Sequence, residues 1–376
     1  MEFRDLKKQY ILHKNEVDTA INTVLQDTNF IMGAPVKKLE ETLAEYVGVK
    51  HCISCANGTD ALQLALMTWG IGPSDAVFVP DFTFFSSGEV VSALGATPIF
   101  VDIDEDTYNV SPECLEKAIQ TVIAEGKVIP KAIVAVDLFG QPADFNAIRK
   151  IAEKYHLHLL EDGAQGFGGS IDGKKACSFG DISTTSFFPA KPLGCYGDGG
   201  AIFTDNDDYA ERLRSLRVHG KGADKYDNVR IGMNSRLDTI QAVVLLEKIK
   251  FFEEELVSCN RCAEEYTKRL KGIVKIPAVL PTMASSWAQY TICFSDQEQR
   301  DLVMTELKNR GIPSAVYYKK PMHMQEAFNH IYHGKYMNEV TTEVCRRCLS
   351  LPMHAYLEKD EIEKICSAIK EIVTKG

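Results

Sequence analysis

The stretch TSFFPAKPLG at residues 185–194, followed by GDGG at residues 197–200, places one lysine between an aromatic, proline-containing run and a glycine-rich turn. Flanks of this kind bury the stem of Lys191 and fix its direction. A lysine withdrawn from water loses part of its preference for the ammonium form and can form a Schiff base with a carbonyl compound. The alternative is a lysine beside a structural turn, with its stem packed on the protein and its charge in solvent. Lys191 is therefore a candidate catalytic residue.

A second stretch, HLHLLEDGAQ at residues 156–165, runs from apolar residues into two acids and a glycine. A buried parallel strand that ends in this way brings a carboxylate to the carboxyl edge of its sheet, where ligands of α/β proteins bind. Asp162 is therefore a second candidate. The pattern is also open to an acid that caps a helix or stabilises a turn.

Apolar runs alternate with helical patterns along the first part of the chain. They lie at residues 51–55, 77–80, 97–101, 132–138, 157–160, 182–187 and 200–204. This alternation predicts an α/β fold with a mostly parallel sheet covered by helices on both faces. From about residue 253 helices surround one strand-like run at residues 287–294, which predicts a smaller α+β domain. We therefore expect a large domain over residues 1–252 and a small domain over residues 253–376.

The turn Asn57-Gly58-Thr59-Asp60 follows the first predicted strand and opens a helix over residues 61–69. The free N–H groups and the positive end of the dipole at a helix start attract anions, so a phosphate would fit here. An ordinary helix cap by Thr59 or Asp60 would explain the same residues.

Composition limits the classes of function. The chain has 376 residues, 45% hydrophobic and 25% charged, which is typical of a globular protein with a large core. No apolar run approaches the roughly 18 residues that span a bilayer. The first eight residues lack the apolar core of a signal peptide, so we expect a cytoplasmic protein that does not associate with membranes.

Charge and cysteine content exclude two further classes. A net charge of −10 argues against nucleic-acid binding, because phosphate backbones require a basic face. The 11 cysteines are scattered and odd in number, which does not suggest a disulfide framework. The pairs Cys52/Cys55 and Cys345/Cys348 lie in strand-like and helix-like runs, so we expect no metal site.

Lys191, Asp162 and Ser186, together with the turn at residues 57–60, form the set expected of a pyridoxal phosphate enzyme. The chain resembles the aspartate aminotransferase fold, called fold type I. Within that fold it is similar to the DegT/DnrJ/EryC1/StrS family of sugar aminotransferases. The resemblance extends from residues 3–6 to about His323, with a weaker match at residues 351–354.

The resemblance implies roles for single residues. Lys191 would hold pyridoxal 5'-phosphate and move a proton between substrate and cofactor, and Asp162 would face the pyridine nitrogen and keep it protonated. Gln165 would face the ring oxygen, and Phe84 would stack on the pyridine ring, although an aromatic residue at a strand end is by itself more typical of a core. The phosphate would be bound by Gly58, Thr59, Ser186 and Asn234. In the family the residue matching Asn234 reaches the neighbouring subunit, which implies a homodimer with sites at the interface.

The resemblance also implies the reaction. Glutamate would leave its amino group on the cofactor, and a nucleotide-linked keto sugar would take it. Related enzymes that dehydrate sugars carry a histidine in place of Lys191, so the lysine favours transamination. Alternatives are an aminotransferase for a 4-keto or other nucleotide sugar and a non-catalytic binding or regulatory protein with the same fold, which has no need of Lys191, Asp162 and Ser186.

Residues 185–200 are most similar to those of aminotransferases that act on UDP-2-acetamido-2-deoxy-3-oxo-glucuronate. Arg236 would pair with the carboxylate of that sugar, and Arg230 is a weaker candidate for the same contact. An ion pair at a subunit interface is the alternative for Arg236. Tyr317 and Tyr318 match further substrate contacts, although Tyr317 replaces the histidine expected there.

Overall fold

The computed structural model describes residues 1–224, 226–331 and 338–375. Its centre is a seven-stranded sheet with the strand order β1-β9-β8-β5-β4-β2-β3. The strands of the described residues are β1 His51–Cys55, β2 Asp75–Pro80, β3 Thr97–Val101, β4 Ile129–Val136, β5 His158–Asp162, β6 Ser170–Ile171, β7 Lys174–Lys175, β8 Ile182–Ser186, β9 Gly200–Thr204, β10 Met283–Ala284, β11 Tyr290–Cys293 and β12 Cys348–Leu351.

Helices cover the sheet. They are α1 Leu6–Leu12, α2 Lys14–Asp27, α3 Ala34–Val47, α4 Gly58–Thr68, α5 Ser86–Ala93, α6 Pro112–Glu125, α7 Phe145–Tyr155, α8 Asp207–Leu216, α9 Thr239–Lys248, α10 Phe252–Leu270, α11 Gln297–Asn309, α12 Glu339–Arg347 and α13 Lys359–Lys375. Short 3-10 helices lie at Leu138–Gly140, Ile249–Phe251, Met322–Met324 and Glu326–Phe328.

The predicted mostly parallel sheet is confirmed. Strands β8, β5, β4, β2 and β3 run parallel to one another, and β9 runs antiparallel to both β8 and β1. Alternate residues of β2 enter two separate cores, Val77 and Val79 on one face and Ala76 and Phe78 on the other. Burial on both faces explains why these strands are continuous apolar runs.

Two helical segments are interrupted. The helices α1 and α2 are separated at His13, whose backbone leaves the helical conformation and whose ring stacks on Phe251 at 3.4 Å. The helical segment after Leu237 is divided into α9, a 3-10 turn and α10. An apolar period continues through such breaks, because buried residues recur on both sides of them.

A second core lies in the last third of the chain. It packs α10, α11 and α13 against the antiparallel pair β11–β12. The first turns of α10 still belong to the core of the large sheet through Phe252 and Leu256. The division into residues 1–252 and 253–376 stays a prediction. In the described part of the chain, none of the helices has both the length and the apolar character needed to cross a membrane.

Candidate active site

Three candidate residues meet at one edge of the sheet because of where their elements begin and end. Asp162 is the last residue of β5, Ser186 is the last residue of β8, and Gly58 is the first residue of α4. Since β5 and β8 are parallel neighbours, their carboxyl ends lie side by side. The loop that follows β8 carries Lys191 back over this edge.

Asp162 is a buried acid with two hydrogen bonds. Its side chain is 4% exposed; Oδ2 accepts from the Ser87 hydroxyl at 2.8 Å and Oδ1 from the Ala164 N–H at 3.2 Å. Burial raises the pKa of Asp162, and the Ser87 hydrogen bond and the charge of Lys191 oppose that increase. A buried carboxylate is stabilised by a nearby cation, so this position suits a protonated ring nitrogen.

Lys191 is half-buried and lies within electrostatic reach of that acid. Burial lowers the pKa of the Lys191 ammonium group, Asp162 raises it, and Arg4 lowers it. The backbone of the residue is fixed on both sides, because its N–H donates to Phe188 O at 2.8 Å and its carbonyl accepts from Arg4 Nη2 at 2.9 Å. This lysine is therefore directed and partly desolvated, as a nucleophilic amine requires.

A close approach joins the first turn of α4 to the end of β8. A Cβ atom built on Gly58 would lie 2.7 Å from Ser186 Cβ, so only glycine fits without displacement. The helix is capped by Asn57, whose Oδ1 accepts from the Asp60 N–H at 2.8 Å. Capping by Thr59 or Asp60 is thus wrong. The helix start and the Ser186 hydroxyl form a cradle with the donors that a phosphate needs.

Gln165, Tyr318 and Phe84 lie together beside this edge. Gln165 Oε1 accepts from the Phe139 N–H at 2.8 Å, and its Nε2 donates to the Tyr318 hydroxyl at 3.2 Å. The Phe84 ring is 6.4 Å from the Tyr318 ring and remains 53% exposed, so it offers a free aromatic surface. A planar heterocycle could pack on such a ring.

The other substrate candidates have different surroundings. Tyr317 packs edge-on against Phe3 at 6.2 Å. Arg230 Nη1 donates to Ser215 Oγ at 3.1 Å. Arg236 is half-buried, and within the described residues it has neither an ion pair nor a side-chain hydrogen bond. Its guanidinium is therefore available to an anionic partner.

Asn234 is exposed. Its backbone pairs with Val218, and the next residue, Ser235, accepts a hydrogen bond from the Ala56 N–H at 3.1 Å. The segment thus lies beside the start of the phosphate cradle. Within the described residues the Asn234 side chain has no hydrogen-bond partner.

Sequence patterns missed several residues of this site. Ser87 contacts Asp162 across 75 positions, and Arg4 contacts Lys191 across 187 positions. The serine pair after Phe85 and the arginine near the start were the only signals, and neither reveals a distant partner. Taken together, the buried acid, the directed lysine and the glycine-lined cradle fit pyridoxal phosphate.

Comparison with known proteins agrees with this geometry. A model of the DegT/DnrJ/EryC1/StrS aminotransferase family matches residues 12–370. The chain is 44% identical over 370 residues to the UDP-2-acetamido-2-deoxy-3-oxo-D-glucuronate aminotransferase of Pseudomonas aeruginosa, with 98% of this chain and 99% of that protein covered.

Two solved structures have a similar fold. A DegT DnrJ EryC1 StrS aminotransferase from Brucella abortus has a TM-score of 0.95 and 48% identity, with 99% of each chain covered. NtdA from Bacillus subtilis with bound cofactor PMP has a TM-score of 0.88 and 28% identity, with 96% of this chain and 82% of that one covered.

These likenesses confirm the predicted type I α/β fold and the predicted aminotransferase activity. Aminotransferases of this family use pyridoxal phosphate, and PMP is its aminated form, so pyridoxal phosphate is the cofactor. Through a match that extends over residues 12–370, the chain belongs to the DegT/DnrJ/EryC1/StrS aminotransferase family.

Proposed function

We propose that this aminotransferase transfers an amino group from glutamate to a nucleotide-linked keto sugar, and that the sugar is UDP-2-acetamido-2-deoxy-3-oxo-glucuronate. The observation that carries the reaction class is the buried Asp162 within electrostatic reach of Lys191, beside a glycine-lined cradle. The choice of sugar is supported by 44% identity to an aminotransferase named for that compound.

When bound, pyridoxal phosphate would supply a carbonyl group that reacts with an amine. It would also supply a protonated ring that withdraws electrons from the substrate carbon. Lys191 would hold that carbonyl through its amine and later carry the proton to and from the substrate carbon. Asp162 would hold a proton on the ring nitrogen. Gly58, Thr59 and Ser186 would bind the phosphate, and the hydrogen bond between Gln165 and Tyr318 would orient groups on the ring oxygen side.

A substrate panel tests the choice of sugar. Glutamate first converts the cofactor of the purified protein to its aminated form. The 3-keto uronate should then restore the original visible spectrum. A 4-keto nucleotide sugar, or the 3-keto sugar without a carboxylate, should restore it only weakly. If either comparison sugar restores the spectrum faster than the 3-keto uronate does, that sugar is the better substrate and the proposed one is wrong. A spectrum that glutamate does not change would rule out glutamate as the amino donor.

Arg236 is proposed to bind the uronate carboxylate, because it is half-buried and unpaired among the described residues. Arg236→Ala should leave the glutamate half-reaction nearly intact and lose on the order of 2 to 5 kcal/mol of sugar binding, since a buried carboxylate would lack its partner. Arg236→Lys should restore only part of the loss, because a point charge cannot make a two-pronged contact. Both half-reactions are followed by cofactor absorbance.

Arg230→Ala is the matched control, because Arg230 already donates to Ser215 in its own chain. It should affect sugar binding less than Arg236→Ala does. An equal loss in both half-reactions of Arg236→Ala would assign Arg236 to general support of the site. No loss with the uronate would move the contact to Arg230 or indicate a neutral sugar.

A homodimer with sites at the subunit interface is part of this proposal. Large apolar side chains are exposed on segments that carry or adjoin site residues: Ile231, 90% exposed, and Val229 precede Asn234, and Phe188 precedes Lys191; Phe30 is also exposed. A second copy that covers these side chains would bury them and would place its Asn234 near the phosphate.

We also propose that the enzyme works in the cytoplasm. All eleven cysteines are free, which fits a reducing compartment.

Mixing two inactive chains tests the role of Asn234. Lys191→Ala and Asn234→Ala proteins, each inactive alone, are unfolded and refolded together. The resulting heterodimers should regain up to about half of the native activity, because one of the two sites in each heterodimer has both native residues. Activity is measured on heterodimers isolated with two different affinity tags. No recovery in such heterodimers would assign Asn234 to the phosphate of its own chain, as its neighbour Ser235 contacts Ala56 there.

A further inference from the structure

Two cations hold the loop that carries Lys191. Arg4, from the segment before α1, donates to the carbonyl of Lys191 at 2.9 Å. Lys248, the last residue of α9, is 3% exposed and donates to the carbonyl of Gly194 at 2.5 Å. The N–H groups of Lys191 and Cys195 donate to the carbonyls of Phe188 and Phe187, so both backbone bonds and the two cations hold this loop.

An acid balances the charge of this pair. Glu255 lies near both cations, and it accepts from Gln9 Nε2 at 2.8 Å and from the Tyr356 hydroxyl. Even with Glu255 present, burial lowers the pKa of Lys248 to about 8 and also lowers the pKa of Arg4. A buried charge such as that of Lys248 costs folding free energy unless it is paired and hydrogen-bonded.

The two cations differ in their effect on the Lys191 amine. The charged groups that act on that amine are Asp162, which favours the ammonium form, and Arg4, which opposes it. Lys248 holds the loop but is not among those groups. The titratable groups that face Arg4, besides Lys191, are Glu255, Tyr356, Cys259, His354 and Lys248.

We propose that Arg4 is a positioning residue for Lys191: its guanidinium holds the backbone carbonyl of Lys191, and its positive charge favours the neutral, nucleophilic form of the lysine amine. The inference rests on the proposed role of Lys191. It adds a second function to the opening segment of the chain, which lies outside the sheet and far from Lys191 in sequence.

Competitive labelling of the cofactor-free chain tests this. Trace acetic anhydride is applied between pH 6 and 10, and peptide mass spectrometry gives the labelling rate of Lys191 relative to Lys37, an internal reference that is 84% exposed. Arg4→Met and Arg4→Gln should shift the Lys191 profile to higher pH and lower this ratio at pH 7 by about three- to tenfold, because a full pKa unit is tenfold. Arg4→Lys should stay close to the native ratio.

Lys248→Met is the matched control, since it removes the other cation that holds a carbonyl of the same loop. It should loosen the loop and leave the pH profile of Lys191 unchanged. Arg4→Gln keeps a hydrogen-bond donor, so it replaces Arg4→Met in the labelling if Arg4→Met is unfolded under the conditions of the experiment. An unchanged ratio in the neutral Arg4 variants, an equal fall in Arg4→Lys, or an equal shift in Lys248→Met would each overturn the proposal.

Borohydride reduction of the native holoenzyme separates this from the proposed function. If the cofactor is trapped on a lysine other than Lys191, the assigned role of Lys191 fails, whereas the labelling still reports whether Arg4 acts on that amine. If the cofactor is trapped on Lys191 and the labelling ratio does not move, the function stands and Arg4 has no part in it.

Discussion

Lys191→Ala is expected to reduce turnover on the order of 10⁴-fold, because the residue serves as both the covalent anchor and the proton carrier. The variant should still bind pyridoxal phosphate noncovalently. The cradle formed by Gly58 and Ser186 and the acid Asp162 do not depend on the lysine side chain. Activity is measured with glutamate and the keto sugar, and cofactor content by absorbance after gel filtration.

Borohydride provides the covalent readout. It should fix the cofactor to the native protein, on the peptide that contains Lys191, and leave none on Lys191→Ala. Added methylamine should restore a small part of the variant's activity, because a free amine can carry the proton at the vacated position. Equal trapping on both proteins would remove Lys191 from its role.

The sequence predicted those site residues whose signal lies in the neighbouring residues of the chain. Asp162 ends β5, and a run of apolar residues that ends in a polar one marks such a position. Ser186, at the end of the neighbouring parallel strand β8, was instead named as a member of the set expected of a pyridoxal phosphate enzyme. Lys191 was predicted from its aromatic and glycine-rich flanks. In these cases the informative residues are adjacent in sequence to the candidate itself.

Contacts between distant segments could not be predicted in this way. The hydrogen bonds from Ser87 to Asp162 and from Arg4 to Lys191 depend on how α5 and the opening segment pack on the sheet. The cap of α4 was assigned to the wrong residue because Asn57, Thr59 and Asp60 are all good caps, and only the backbone decides among them.

Asp162→Asn separates the charge of this residue from its shape. Asparagine has the same size and can still accept the hydrogen bond from Ser87, which is 2.8 Å long in the native protein. It cannot hold a proton on the ring nitrogen through charge. We expect both half-reactions to slow on the order of 10²- to 10³-fold, as when a preorganised electrostatic contact is removed. Ser87→Ala, which keeps the charge and removes one hydrogen bond, should cost only about tenfold.

Asp162→Asn should slow the reaction without lowering the thermal stability of the cofactor-free chain. Burial raises the folded-state pKa of Asp162 above its usual value of 3.8, so the stabilisation from its protonated form is complete below that value and is lost as the pH rises through the folded pKa. Above the folded pKa of Asp162 the cofactor-free native chain holds an unfavourable buried charge, which Asp162→Asn lacks. The variant should melt at the same temperature as the native chain or higher at pH 8, and the difference should shrink toward pH 4. A slow variant that also melts lower at pH 8 would show that Asp162 supports the fold, whereas native rates in the variant would show that the ring nitrogen does not need its charge.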